Sequence, residues 1–311
     1  MRSIIIIILV LGVACESAPV QTTATTETTT TTTDTALAPV VVWDDLGIVS
    51  SVMFNALYAT SNEAWVGDAN GSLWRVEPSG NTVEVASVDS VINGLWGTGE
   101  GEGVHVVAVG ESGLILDFTN QEISLEDLGA ANLYDVAGVG TDLFTVGWGG
   151  AFVDSGNESL PSGVQLNALY AGDTVIFGVG QQGAIVARSA DGVWLNQFSP
   201  TIYDIRAISG NADDNIWAVG DFGLVLHYDG ISWETLDSDL LVTLWGVWVA
   251  PTSEVFFVGN NGYAGLYTGE GGIQEVYTGV NANLYAVDGL SAGVVWAVGS
   301  QGQILKFNST R

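Results

Sequence analysis

Few residues in this chain could do covalent or metal chemistry. Histidine occurs twice, as His105 and His227, and cysteine once, as Cys15. The histidines fall inside different strand-like runs, His227 within Leu226-His227-Tyr228, and two separated imidazoles do not make a His-rich metal site. Oxygen ligands are abundant, with 35 Asp and Glu. The runs Asp68-Ala69-Asn70-Gly71 and Asn211-Ala212-Asp213-Asp214-Asn215 make calcium the one cofactor worth weighing. Neither run alternates its oxygens toward a closing bidentate Glu, and Asp and Asn are ordinary turn formers, so no cofactor is expected. No pair of carboxylates stands apart from the turn consensus as a glycosidase pair would. Neither a Ser-His-Asp spacing, nor a nucleophile elbow, nor a Gly-x-Gly-x-x-Gly between strand and helix is present. The expectation is a protein that is not an enzyme.

What remains are side chains suited to recognition. Glu111, Trp148, Gln181, Gln182, Asp221, Phe222, Asn260, Asn261 and Gln301 each follow a Val-Gly pair, inside a short glycine-bounded loop. They mix rings, amides and acids, a combination suited to a protein partner, with a glycan as the alternative. Trp148 and Phe222 are the most informative, because a large ring in a two-residue turn has little core to enter.

The elements that must position these residues are repeats. The Val-Gly pair recurs as Val66-Gly67, Val109-Gly110, Val146-Gly147, Val179-Gly180, Val219-Gly220, Val258-Gly259 and Val298-Gly299, about 39 residues apart. Each pair closes an apolar run such as Ile216-Trp217-Ala218-Val219, and a second glycine opens another run shortly after. That pattern predicts a hairpin, with the bounding glycines supplying positive φ. Upstream lies a strand beginning Leu57-Tyr58, Leu95-Trp96, Leu133-Tyr134, Leu169-Tyr170, Leu244-Trp245 or Leu284-Tyr285, with Ile205-Arg206 in the fifth unit. These rings are expected to pack between units, with lining of the axial channel as the alternative. Downstream, Asp191-Gly192-Val193-Trp194 and Asp229-Gly230-Ile231-Ser232-Trp233 predict a turn and an outer strand.

Four strands per unit and seven units predict an all-β, seven-bladed β-propeller over residues 40–311, because so small a sheet cannot cover both its faces alone. The last unit stops at Ile304-Leu305-Lys306-Phe307, one strand short. Residues 40–47, which include Trp43, are expected to supply that strand and close the last blade, removing two open sheet edges.

The units resemble the bacterial propellers of the WD40/YVTN/BNR-like group, and the hairpins followed by Asp-Gly-x-x-Trp are similar to those of photosystem II assembly factors of the Ycf48 type. The resemblance spans about 270 residues and implies a fold rather than an activity. The Asp-Gly turns are also similar to the Asp-box of sialidases, itself a structural turn. Sialidases grip their substrate with an arginine cluster, whereas here Arg75, Arg188, Arg206 and Arg311 are dispersed.

The chain opens Met1-Arg2-Ser3 and continues through an apolar stretch from Ile4 to Ala14, too short to span a bilayer, which reads as a signal peptide over residues 1–14. Cys15 after Leu11-Gly12-Val13-Ala14 resembles a lipobox, with Leu one residue further back than is usual. This resemblance implies a lipidated Cys15 at the head of a bacterial lipoprotein. Residues 15–39 then form a lipidated cysteine and a Thr-rich tether, with Thr28 to Thr33 unbroken. The formal charge is −29, with Lys306 the sole lysine. Such a surface repels phosphate backbones and excludes nucleic-acid binding. Acid-rich, lysine-poor surfaces also stay hydrated in strong salt, so a saline habitat is a further expectation. The sequence thus leads one to expect an extracytoplasmic, lipid-anchored monomer on a bacterial envelope membrane, touching the membrane only through its anchor and serving as a binding or assembly platform.

Overall fold

Across the described residues the apolar runs alternate or are continuous over four to six residues and are broken by glycine, which leaves no amphipathic helical face there. The computed structural model describes residues 42–48, 51–129, 132–148, 150–153, 156–161 and 163–308. The signal peptide, Cys15 and tether expected over residues 1–39 lie outside them. No helix among the described residues is long and apolar enough to cross a membrane.

Among the described residues there are seven four-stranded antiparallel sheets. We number them as blades 1 to 6 in chain order, over residues 54–87, 92–127, 133–158, 166–196, 205–235 and 244–275. Blade 7 joins residues 284–308 to the strand Val42–Ile48. Blade 5 is representative: Ile205–Ala212 lies innermost, then Asn215–Gly220, Val225–Tyr228 and the outer Trp233–Thr235. Burial follows this order. Ile216 to Gly220 are all buried, as a strand covered on both faces requires, whereas the outer strand buries only Trp233.

The inner strands contact one another in sequence, and that of blade 7 meets that of blade 1, so the ring is closed. Its core is divided among the seven joints between blades. Phe177, Val179 and Ile185 of blade 4 pack with Ile216, Leu226 and Trp233 of blade 5. Phe54, Leu57 and Val66 of blade 1 pack with Trp296, Val298 and Ile304 of blade 7. Each joint buries several large side chains, at about 1.5 to 3 kcal/mol apiece, and no blade holds such a cluster without its neighbour.

The closing strand pairs as expected. Val42–Ile48 runs antiparallel to Gln303–Asn308, with Trp43 opposite Phe307. The Trp43 indole is buried and meets the Phe307 ring edge-on, with centroids 5.3 Å apart.

The inner strands depart from expectation in register. In each, pairing slips at the second residue: Ile205 faces Gly220, but Ala207 faces Val219. The same bulge recurs in all seven inner strands. Tyr134, Arg206, Trp245 and Tyr285 occupy the bulge, whereas Tyr58, Trp96 and Tyr170 sit three residues further along. The Leu-aromatic pairs are therefore not equivalent copies, and the bulge residue of blades 1, 2 and 4 is asparagine. Asn55, Asn93 and Asn167 each donate Nδ2–H to the first carbonyl of the next inner strand, on Ile92, Leu133 and Ile205, at 2.8 to 3.1 Å.

Candidate partner-binding face

The loops between second and third strands occupy equivalent places in the blades and so lie on one face of the ring. Blade 5 shows how they are built. Gly220 is extended, with φ −169°, and is glycine because a Cβ there would strike the Asp204 carbonyl. Phe222 and Gly223 take the left-handed region, at φ 58° and 72°. This corrects the expectation that both bounding glycines supply positive φ: the first provides close approach, the second the turn. Asp221 N–H donates to the Asp204 carbonyl at 3.1 Å, and Leu224 N–H to that of Asp221 at 3.2 Å.

The tips of blades 2, 4 and 6 are also hooked to the next blade. The amide of Gln182 donates to Asp204 Oδ1 at 2.8 Å, that of Ser112 to Asn132 Oδ1 at 3.1 Å, and that of Asn261 to Asn283 Oδ1 at 3.0 Å. Each acceptor stands immediately before an inner strand. A turn held at both ends presents its side chains with little left to order on contact.

The nine sequence-selected residues all lie in these turns: Glu111 in blade 2, Trp148 in blade 3, Gln181 and Gln182 in blade 4, Asp221 and Phe222 in blade 5, Asn260 and Asn261 in blade 6, and Gln301 in blade 7. They divide by position. Gln181, Asp221 and Asn260 are half-buried first residues, whereas Gln182, Phe222, Asn261 and Gln301 are exposed tips. Glu111 is a first residue that remains exposed. Trp148 is 56% exposed and Phe222 64%.

Two of the half-buried residues, Asp221 and Asn260, meet bulge side chains that sequence reading placed in the wrong register. Arg206 Nε and Nη2 grip Asp221 Oδ1 and Oδ2 at 3.0 and 2.8 Å, with Asp204 Oδ2 3.3 Å from Nη2. The guanidinium lies 5.1 Å from the Trp245 ring centroid. Hydrogen bonding to Asp221 holds its pKa above the ordinary value. Trp245 Nε1–H donates to Asn260 Oδ1 at 2.7 Å, and its ring meets Tyr285 edge-on at 5.7 Å. Blades 5, 6 and 7 are thus joined here by an Arg-Trp-Tyr row. The bulge was the missed signal, legible in Asn-x-Leu-aromatic at Asn55, Asn93 and Asn167.

Behind the turns, the inner strands of all seven blades line an axial cavity of about 420 Å³. Tyr58, Trp96 and Trp245 contribute to its wall, yet the first two also pack on the next blade, against Gly97 and Gly138. Two carboxylates lie deep in the protein while still touching this space. Asp135 accepts from the amides of Val136 and Leu169 at 2.9 Å, and Asp288 from the amide of Ala59 at 2.8 Å. Burial pushes both pKa values up to about 7, outweighing the hydrogen bonds that act in the opposite direction.

The remaining candidates serve the fold. Asp68 accepts from the amides of Asn70 and Ser72 and from the Trp74 indole. Asp213 accepts from Thr174, Asn211 donates to the Ala250 carbonyl, and Asn215 holds Trp217 and His227. In the two runs weighed for calcium, Asp68, Asn211, Asp213 and Asn215 thus bond within turns or across joints between blades, while Asp213 Oδ1 is buried without a hydrogen-bond partner. Among the described residues no group of three or more His, Cys, Asp or Glu converges to hold a metal. Burial lowers the His227 pKa, and His105 Nε2 lies 3.1 Å from Asp117. Asp229 accepts from the amides of Ile231 and Ser232, and Trp233 and Trp194 are buried, so the Asp-Gly motifs are structural turns.

No family model and no curated protein matches the chain. Solved structures do. Ycf48 from Cyanidioschyzon merolae superposes with a TM-score of 0.68 at 13% identity, covering 86% of this chain and 99% of that one. The WD40 propeller domain of Doa1 gives 0.69 at 13%, covering 85% and 95%. Virginiamycin B lyase from Staphylococcus aureus gives 0.72 at 14%, covering 86% and 98%. A structure of Ycf48 bound to D1 peptide gives 0.68 at 15%, covering 86% and 95%. At such identities the likeness is one of architecture, and what this chain shares with all of them is the β-propeller fold, here with seven blades.

Proposed function

We propose that the protein is a non-enzymatic binding or assembly platform, held to the outside of a bacterial envelope membrane by lipid on Cys15, that takes a protein partner on its turn face. The observation that carries this reading is the presentation of Trp148 and Phe222, each more than half exposed, in turns of a closed ring. A ring held out to solvent on backbone already fixed binds at low entropic cost. The Ycf48 structure with D1 peptide supports it, because there a propeller of this architecture holds a peptide. Propellers also host catalysis, as the virginiamycin B lyase shows for its own chain, so the fold alone decides nothing about chemistry. The apolar run from Ile4 to Ala14, Cys15 and the Thr-rich tether support the anchor and the extracytoplasmic placement.

An envelope glycan is the alternative ligand, because indole and phenyl faces also stack on sugar rings. Crosslinking of the acylated protein in its native membrane, followed by mass spectrometry, separates the two. Capture of one protein at stoichiometric yield supports the platform. Glycan binding that disappears in Trp148→Ala and Phe222→Asn supports the alternative.

A further inference from the structure

The turn face is unevenly apolar. The loops leading into the inner strands of blades 5 and 6 expose Ile202 at 82% and Leu241 at 87%, and between them the turn of blade 5 raises Phe222. Tyr203 meets Phe222 at 5.1 Å between centroids. On the other side a Cβ on Gly223 would strike Leu240, next to Leu241, and Ser238 Oγ donates to the Gly223 carbonyl at 2.7 Å. Tyr203 and Phe222 therefore form the centre of a patch that Ile202 and Leu241 flank from the adjoining loops. In the corresponding loop leading into blade 7, Asn281 and Ala282 take the places of Ile202 and Tyr203.

Charge around the patch selects its occupant. Asp204, Asp221, Asp237 and Asp239 lie in the same two loops and turn, against the single cation Arg206, which Asp204 and Asp221 already hold. A second copy of this chain would bring its own charge of −29, and an anionic bilayer or nucleic acid is repelled in the same way. We propose that this patch takes a peptide segment of a protein partner in which apolar side chains alternate with Lys or Arg. The apolar groups cover these four side chains, and the cations meet the exposed carboxylates of Asp237 and Asp239. This inference rests on the platform reading and names the chemistry of the partner.

The test is titration of the purified full-length protein with short synthetic peptides alternating Phe with Lys, Phe with Glu, and Ser with Lys, watched by tryptophan fluorescence and calorimetry. The Phe-Lys peptide is expected to bind and the other two to bind at least about tenfold more weakly. Ile202→Ser with Phe222→Asn is expected to weaken the Phe-Lys peptide about tenfold, since asparagine tolerates the left-handed backbone and no charge changes. Leu241→Ser, at a fully solvated tip, provides a second variant that leaves folding intact, and Leu290→Ser on the far face should change nothing. Equal binding of Phe-Lys and Ser-Lys peptides, equal binding to the wild-type and patch variants, or no binding of the Phe-Lys peptide overturns the proposal. If any of these occurs while a native protein is still captured on the turn face, only the partner chemistry fails and the platform reading stands.

Discussion

Trp96 of blade 2 lies directly on the bare backbone of Gly138 in blade 3, so close that a Cβ there would come within 2.3 Å of the indole ring. Tyr58 on Gly97 and Trp248 on Gly289 repeat the arrangement at other joints. A glycine opposite an aromatic ring is thus one of the devices by which neighbouring inner strands fit together. Gly138→Ala is expected to overpack this joint and destabilise the domain by about 1 to 3 kcal/mol, read from the urea midpoint. An unchanged midpoint would mean that the joint yields.

The axial carboxylates give stability a definite pH dependence. Asp135 and Asp288 titrate near 7 in the folded ring and near the ordinary carboxylate value when unfolded. The folded state therefore binds more protons between about pH 4 and 7, and stability from these groups is greatest below that window and declines as pH rises through it. Asp135→Asn and Asp288→Asn are expected to flatten the slope of unfolding free energy between pH 5 and 8, measured by urea titration. A slope identical to that of the wild type would contradict the assignment.

Glu158 acts in the opposite sense. Arg188 donates Nε–H and Nη2–H to it at 2.8 and 2.6 Å, the Trp194 indole adds a third bond at 2.9 Å, and Arg188 is the main reason its pKa is lowered. Its contribution is present above the ordinary glutamate pKa and is lost as pH falls through the lowered folded value. Glu158→Ala removes the partner of a mostly enclosed guanidinium bridging blades 3 and 4. A loss of about 1 to 3 kcal/mol is expected at pH 7, and a smaller one at an acid pH where the carboxylate is protonated. Equal losses at both pH values would show that packing, not the ion pair, is what the residue supplies.

Screening should stabilise so acidic a chain. With 35 acids against 6 bases, raising sodium chloride from dilute buffer to about 1 M is expected to raise the thermal midpoint by weakening self-repulsion. A midpoint that falls over that range contradicts the saline expectation.

The strand that closes the ring can be tested by removal. Deleting residues 40–47 takes away Trp43 and exposes the edge of Gln303–Asn308, so aggregation or loss of cooperative unfolding is expected. Trp43→Ala alone should cost about 3 to 5 kcal/mol. An unchanged melting transition in the deletion variant would rule out the latch.

Blade number and closure were legible because they depend on residues that recur: the Val-Gly pair, the second glycine and the truncated last unit each report a backbone requirement repeated around the ring. The inner-strand register was not. Leu-aromatic pairs occur on either side of a bulge, and spacing alone does not distinguish Trp245 at the bulge from Trp96 three residues beyond it. Arg206 looked like a substitution for a ring, whereas it is the bulge residue that grips Asp221. The turn residues were found from their glycine brackets. The apolar tips Ile202 and Leu241 were missed because they lie in the irregular loops between blades, where no period marks them.

The central claim is that the turn face is where a partner docks. It is tested most directly by placing a photoreactive residue at position 148, 222 or 290 of the full-length protein and irradiating it in cells that produce it. Positions 148 and 222 lie on the turn face, and Leu290 at the opposite end of its blade. The account predicts a single protein adduct from 148 and 222 and none from 290. An adduct from 290 with none from the other two would contradict it.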